Sequence, residues 1–122
     1  MKPRLLIADD LVDSADSLAL LMRHAGHEVE IAYDGEEALR MAESQRPDAA
    51  LLDIEMPKLS GFDVCRRIRQ QPWGRQMVLI AVTGWGEEEV RAQVTEAGFN
   101  HQLVKPIDPQ KLARLLEHTS LG

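Results

Sequence analysis

The chain has a single cysteine, Cys65, among 122 residues. It has no partner for an internal disulfide and none at metal-ligand spacing, so Cys65 reads as core packing on a helix. Long hydrophobic runs are missing as well. No uninterrupted apolar stretch approaches the ~20 residues that span a bilayer, and Met1-Lys2-Pro3-Arg4 leads into a short strand-like run without a signal-peptide core. A soluble cytoplasmic protein is the expectation. Positive charge is scarce: 14 Lys and Arg against 20 Asp and Glu leave a formal charge of -6, far from the basic footprint of nucleic-acid binding. Direct contact with DNA or RNA is therefore not expected. No glycine-rich loop follows the first strand-like run, which argues against dinucleotide or flavin binding. Without internal repeats, low-complexity tracts or linkers, the chain reads as one domain over 1–122.

What is present is an alternation. Apolar residues make up 44% and charged residues 28%, enough for a core in a chain of this length. The runs "RLLIA", "EVEIA", "DAALL", "MVLIAV" and "HQLV" have strand length, and the first, third and fourth are nearly continuous in apolar residues, as strands covered on both faces are. Between them lie amphipathic segments. Residues 12–25 put Val12, Ala15, Leu18, Leu21, Met22 and Ala25 on one helical stripe, with Gly26 as the stop. Asp34 is placed to cap a second helix through "EEALRMAES". Further helices are expected at 61–70, 87–97 and 109–118, the last with Asp108 as cap and Pro109 at its first position. The order is (βα)5, an α/β, doubly wound parallel sheet with helices on both faces.

In such sheets ligands bind outside the carboxyl ends of the strands. The first run ends in Asp9-Asp10, the third in Asp53, the fourth in Thr83, and the fifth leads to Lys105 before Pro106. Asp53 closes the apolar run of "LLDIEMP", where an ionised carboxylate is costly unless a cation or donors compensate it. The rim supplies both. Clustered carboxylates repel one another unless a cation is bound, and hard oxygen ligands suit Mg²⁺.

The set "IADD", "LLDIEMPKLSGFDV", "AVTGWG" and "LVKPI", in that order and at strand ends, closely resembles the response-regulator receiver domain of two-component signalling. The resemblance runs from about Arg4 to His118 and includes "GHEVEIAYDGEEAL". It implies a flavodoxin-like sheet in the order 2-1-3-4-5 and a phosphoacceptor switch rather than an enzyme acting on a separate substrate. Asp53 would accept a phosphoryl group from a histidine kinase or histidine phosphotransfer domain. Asp10, Asp53 and the backbone carbonyl of Glu55 would hold Mg²⁺, with Asp9 acting through a metal-bound water. Lys105 would pair with the phosphoryl oxygens, the Thr83 hydroxyl would move to bond the group, and the Gly84 amide would donate as well. The surface from 83 to 104 would then repack. Where the family usually has an aromatic residue three positions before the lysine, this chain has Gln102, with His101 beside it. "FNHQLVKP" looks more like receivers attached to hybrid histidine kinases than like those of transcription factors. Nothing in the chain reads as an output domain, so the signal is expected to leave through a partner or the rest of a longer signalling protein.

Each feature has a plainer reading. Asp9-Asp10 could start a helix, Thr83-Gly84 could be a turn, and Lys105 a surface lysine; their convergence with Asp53 favours the metal and phosphoryl site. Trp85 reads as loop packing, and "EEE" at 87–89 as a favourable first helical turn. His24, His27, His101 and His118 share no metal spacing and are expected at the surface or in caps. Two other functions compete: a degenerate receiver that binds partners without phosphorylation, and an aspartate-nucleophile phosphohydrolase. The second rests on a superficial likeness of "LLDIE" to the haloacid dehalogenase motif, whose second aspartate is replaced here by Glu55.

Overall fold

A computed structural model of the chain describes residues 2–84 and 87–117. The expectations for Trp85 and His118 lie outside the described residues. Strands and helices alternate as β1 (Leu5–Ala8), α1 (Val12–His24), β2 (Val29–Ala32), α2 (Gly35–Gln45), β3 (Ala49–Asp53), α3 (Gly61–Arg69), β4 (Val78–Thr83), α4 (Glu87–Ala97), β5 (His101–Val104) and α5 (Pro109–Glu117). A short 3-10 turn at Pro72–Gly74 precedes β4; the sequence reading did not anticipate it. All neighbouring strands are parallel, in the order β2-β1-β3-β4-β5. This is the doubly wound order expected from the motifs. The three most apolar strands, β1, β3 and β4, are the central ones, because only a strand with neighbours on both edges and helices on both faces needs apolar residues throughout.

Side chains alternate across the sheet with period two, and each face has its own core. Leu6, Ala50, Leu52 and Leu79 pack with Ala38 and Ala42 of α2, Val64 and Ile68 of α3, and Val94 of α4. Leu5, Ile7, Leu51 and Ile80 pack with Ala15, Leu18 and Met22 of α1 and with Leu112 and Leu116 of α5. Cys65 is buried, and its Sγ donates to the Ala97 carbonyl. Its core role stands.

Two expectations need correction. The apolar stripe of α1 is rotated: Ala15, Leu18, Ala19 and Met22 are buried, while Val12, Leu21 and Ala25 are exposed. The helix has apolar residues on more than the side facing the sheet, so the repeat alone did not say which side is covered. His27 is also buried, not at the surface, with its Nδ1 2.8 Å from the Pro3 carbonyl oxygen. His24 is exposed and His101 half-buried.

Ends of helices follow local chemistry. Asp34 accepts the Glu37 N–H at 2.8 Å, as an N-cap should, and Ser60 caps α3 through the Asp63 N–H. Gly26 and Gly98 end α1 and α4 with φ of 101° and 109°, where a side chain would be strained. Arg69, at the end of α3, donates to the carbonyls of Gly98, Gly74, Arg75 and Met77 and to Asn100 Oδ1. Asn100 Oδ1 also accepts the Leu79 N–H. One guanidinium thus joins α3, the segment before β4 and the turn before β5. Among the described residues, no helix is long and apolar enough to cross a membrane.

Candidate functional site

Parallel register brings the rim together. Ala8 is level with Leu52 and Asp53 with Val82, so Asp9, one step past β1, lies beside Asp53 at the tip of β3. Thr83 is level with Val104, and the Lys105 N–H donates to the Thr83 carbonyl at 2.8 Å, which carries the β4–β5 pairing one step further and holds Lys105 at the tip of β4. The Lys105–Pro106 peptide is cis.

The side chains close on one another. Lys105 Nζ lies 2.6 Å from Asp53 Oδ2 and 3.2 Å from Asp9 Oδ2. Asp53 Oδ1 accepts the Glu55 N–H at 2.9 Å, and Asp9 Oδ1 accepts the Leu11 N–H at 2.9 Å. Asp9 therefore bonds the chain leading into α1, although no side chain caps that helix. One ligand oxygen each from Asp9, Asp10 and Asp53 can be chosen so that all lie within 4.8 Å of one another. Asp10 is exposed, whereas Asp9 and Asp53 are buried and the Thr83 side chain is fully covered. Glu55 is exposed in the turn that follows, and its backbone is tied to Asp53 by the bond just named.

Only 3% of Asp53 is exposed, and that burial raises its pKa; bonds from Lys105 and the Glu55 amide pull the other way, and the Asp9 charge adds to the rise. Burial works against the charge on Lys105, but the bonds and charges of Asp53 and then Asp9 outweigh it, so its pKa is raised. Three carboxylates facing one ammonium leave two negative charges uncompensated. The donor set fits Mg²⁺: its ligands are hard oxygens, the ion prefers one or two carboxylates and retained waters, and one open side at Asp10 admits them. The charge of the ion matches the deficit.

All the side chains singled out in the sequence, Asp9, Asp10, Asp53, Thr83 and Lys105, thus stand on one rim. The sequence did not reveal the surroundings. A cleft of about 380 Å³ runs from Asp9 and Lys105 between α1 and the Pro106–Pro109 segment, with Leu18, Leu21 and Ile107 in its walls. Leu21, in that wall, is exposed, as are Leu11, Val12 and Leu20 elsewhere around α1 and its start. A second cleft of about 300 Å³ lies between α4 and β5, bordered by Arg91, Phe99, His101 and Gln102.

Comparison with known proteins follows the same lines. The family model of the response regulator receiver domain matches residues 5–117. An uncharacterized 14.6 kDa protein of Leptolyngbya boryana is 35% identical over 118 residues, 97% of this chain and 90% of that protein. Response regulator MprA of Mycobacterium ulcerans is 37% identical over 112 residues; these are 92% of this chain and 47% of MprA, so the chain spans about half the length of that relative. Among solved structures, the receiver domain of the sensor histidine kinase PA1611 from Pseudomonas aeruginosa superposes with a TM-score of 0.88 at 33% identity, covering 98% of each chain, and has a magnesium ion coordinated in its active-site cleft.

Proposed function

The chain belongs to the response regulator receiver family of two-component signalling, and on that premise we propose that it is a cytoplasmic, Mg²⁺-dependent phosphoacceptor switch. In this reading the 122 residues form one receiver unit and Asp53 takes a phosphoryl group from a histidine of a kinase or phosphotransfer domain. The observation that carries it is the contact of Lys105 Nζ with Asp53 Oδ2 at 2.6 Å inside a cluster of three carboxylates.

The chemistry asks little covalent work of the protein. As the bond from phosphorus to Asp53 forms, the bond to the donor's imidazole nitrogen breaks, and charge spreads over three equatorial oxygens. Lys105 is positioned to leave the Asp53 carboxylate and pair with one of those oxygens. The Glu55 amide orients the acceptor by holding its other oxygen. Asp9, Asp10, Asp53 and the Glu55 carbonyl would hold Mg²⁺, which when bound supplies Lewis-acid stabilisation of the phosphoryl oxygens. Once in place, the group adds about two negative charges, and the Thr83 hydroxyl at the end of β4 and the Gly84 N–H just past it are the donors that would answer it. Because β4 pairs with β5 through Thr83 and Val104, movement at Thr83 reaches the α4–β5 cleft, where Gln102 stands in place of the family's usual aromatic residue. The apolar cleft that opens beside Lys105, with the exposed Leu21 in its wall, supports docking of a partner at the site.

Intact-mass analysis after incubation with a small acyl-type phosphodonor tests the reading. One added phosphoryl mass that requires both Mg²⁺ and Asp53, and is missing in Asp53→Ala, is the expected result. Label on Asp53→Ala would move the acceptor elsewhere; no label on the native protein would favour a phosphorylation-independent binding module.

A further inference from the structure

The segment that carries Glu55 is gripped from a side that the rim residues do not include. Between Asp53 and α3 the chain passes through residues 54–60, and the start of α2 abuts it. The Gly35 N–H donates to the Pro57 carbonyl at 3.3 Å, and the Leu59 N–H donates to the same oxygen at 2.8 Å. Asp34 Oδ2 lies 3.5 Å from Lys58 Nζ, while Asp34 Oδ1 is already fixed by the Glu37 N–H. Lys58 has a φ of 71°, a left-handed conformation that non-glycine residues seldom take without support. The approach is close: a Cβ on Gly35 would fall 1.9 Å from the Leu59 carbonyl oxygen and 2.6 Å from Leu59 Cβ. On the opposite side, a Cβ on Gly61 would fall 2.4 Å from the Asp53 carbonyl oxygen. Two glycines therefore pinch the loop, one under the acceptor and one under its far end.

We infer that the Asp34–Gly35 turn, outside the site itself, is a positioning element that sets where the 55–59 loop holds the Glu55 carbonyl, and so sets Mg²⁺ affinity and the rate at which Asp53 is phosphorylated. The inference rests on the reading of the rim proposed above. Outer groups that orient a metal ligand typically change affinity by 10- to 100-fold when lost. Alanine at position 35 is intrinsically better in a helix than glycine, so any loss it causes must come from the contact with Leu59 and not from α2.

A matched pair of variants separates positioning from stability. Gly74 meets the Ile68 carbonyl oxygen as Gly35 meets Leu59: a Cβ there would lie 2.1 Å from it. Gly74, however, precedes the start of β4, at the edge of the sheet opposite the rim. Mg²⁺ titration of native, Gly35→Ala and Gly74→Ala proteins, followed through the Asp53 and Glu55 amide resonances under folded conditions, reads affinity and loop position together. The expected result is affinity weakened on the order of tenfold in Gly35→Ala, with shifted Glu55 resonance before any metal is added, slower labelling by an acyl phosphodonor, and native affinity in Gly74→Ala. Unchanged Mg²⁺ affinity in Gly35→Ala, or equal weakening in both variants, would overturn the inference. If Gly35→Ala does not fold, Asp34→Ala, which adds no atoms to the contact, must weaken Mg²⁺ binding at least about twofold, and native affinity there would overturn it equally. A native protein that binds no Mg²⁺ would instead remove the proposed site, and this inference with it.

Discussion

At the scale of the residue, Cys65 shows how burial alone decides chemistry. The thiol is enclosed between α3 and α4, and burial pushes its pKa up to about 11, against the opposing charges of Arg69 and Arg66. The unperturbed thiol titrates at 9.0, so between these values the folded state holds the proton more tightly. Stability from this group is therefore complete below pH 9.0 and is lost as pH rises through about 11. The expected outcome is that native protein and Cys65→Ala, compared by denaturant melts from pH 8 to 11, converge by about 2 kcal/mol. A gap that stays constant over that range would contradict the assignment. At neutral pH the same thiol should resist alkylation until the chain is unfolded.

At the scale of the element, α1 separates what the fold needs from what the surface offers. Leu18 is buried against the sheet and Leu21, three residues on, is 51% exposed in the wall of the cleft beside Lys105. Leu18→Ala should cost about 2–5 kcal/mol, whereas Leu21→Ala should stay within about 0.5 kcal/mol of native. If α1 is the docking face, Leu21→Ala will accept phosphoryl from a small donor at the native rate and from a phosphohistidine protein severalfold more slowly. Equal rates with both donors would remove α1 from the docking surface.

The same helix marks the limit of what the sequence disclosed. The parallel alternation and the rim were legible because the buried strands are continuously apolar and a parallel register carries every strand tip to one edge, so Asp9, Asp53, Thr83 and Lys105 had to meet; the strand order itself came from the likeness of the motifs to receiver domains. The covered side of α1 was not legible: leucines at 11, 18, 20 and 21 surround the axis, and only packing selects among them. His27 gave no local sign either, since its partner is the carbonyl of Pro3, 24 residues away. Arg69 was hidden for a similar reason. Four of its five acceptors are backbone carbonyls, which any residue carries.

At the scale of the whole molecule, the acidic rim is a standing tension. Two uncompensated negative charges oppose folding until a cation arrives, so Mg²⁺ should act as a stabiliser well before any phosphoryl transfer. With free ion at about 100 times its Kd, linkage gives about 2.7 kcal/mol, which is several degrees in the melting temperature of a domain this size. Calorimetric scans should show that rise for the native protein and a clearly smaller one for Asp10→Asn, which removes one exposed ligand without touching the core. An equal rise in both would mean that the ion binds elsewhere.

The Arg69 junction has a mechanical consequence. Because one side chain ties the end of α4 at Gly98 to α3 and to the strand entries at Met77 and Asn100, the floor of the molecule behaves as a clamped beam end. If phosphorylation displaces the Thr83 edge as proposed, that base would resist rigid-body sliding of the helix. A tilt of α4 about its Gly98 end would then be the motion left open, with the largest displacement toward the rim, where a partner at the α4–β5 cleft would sense it most strongly.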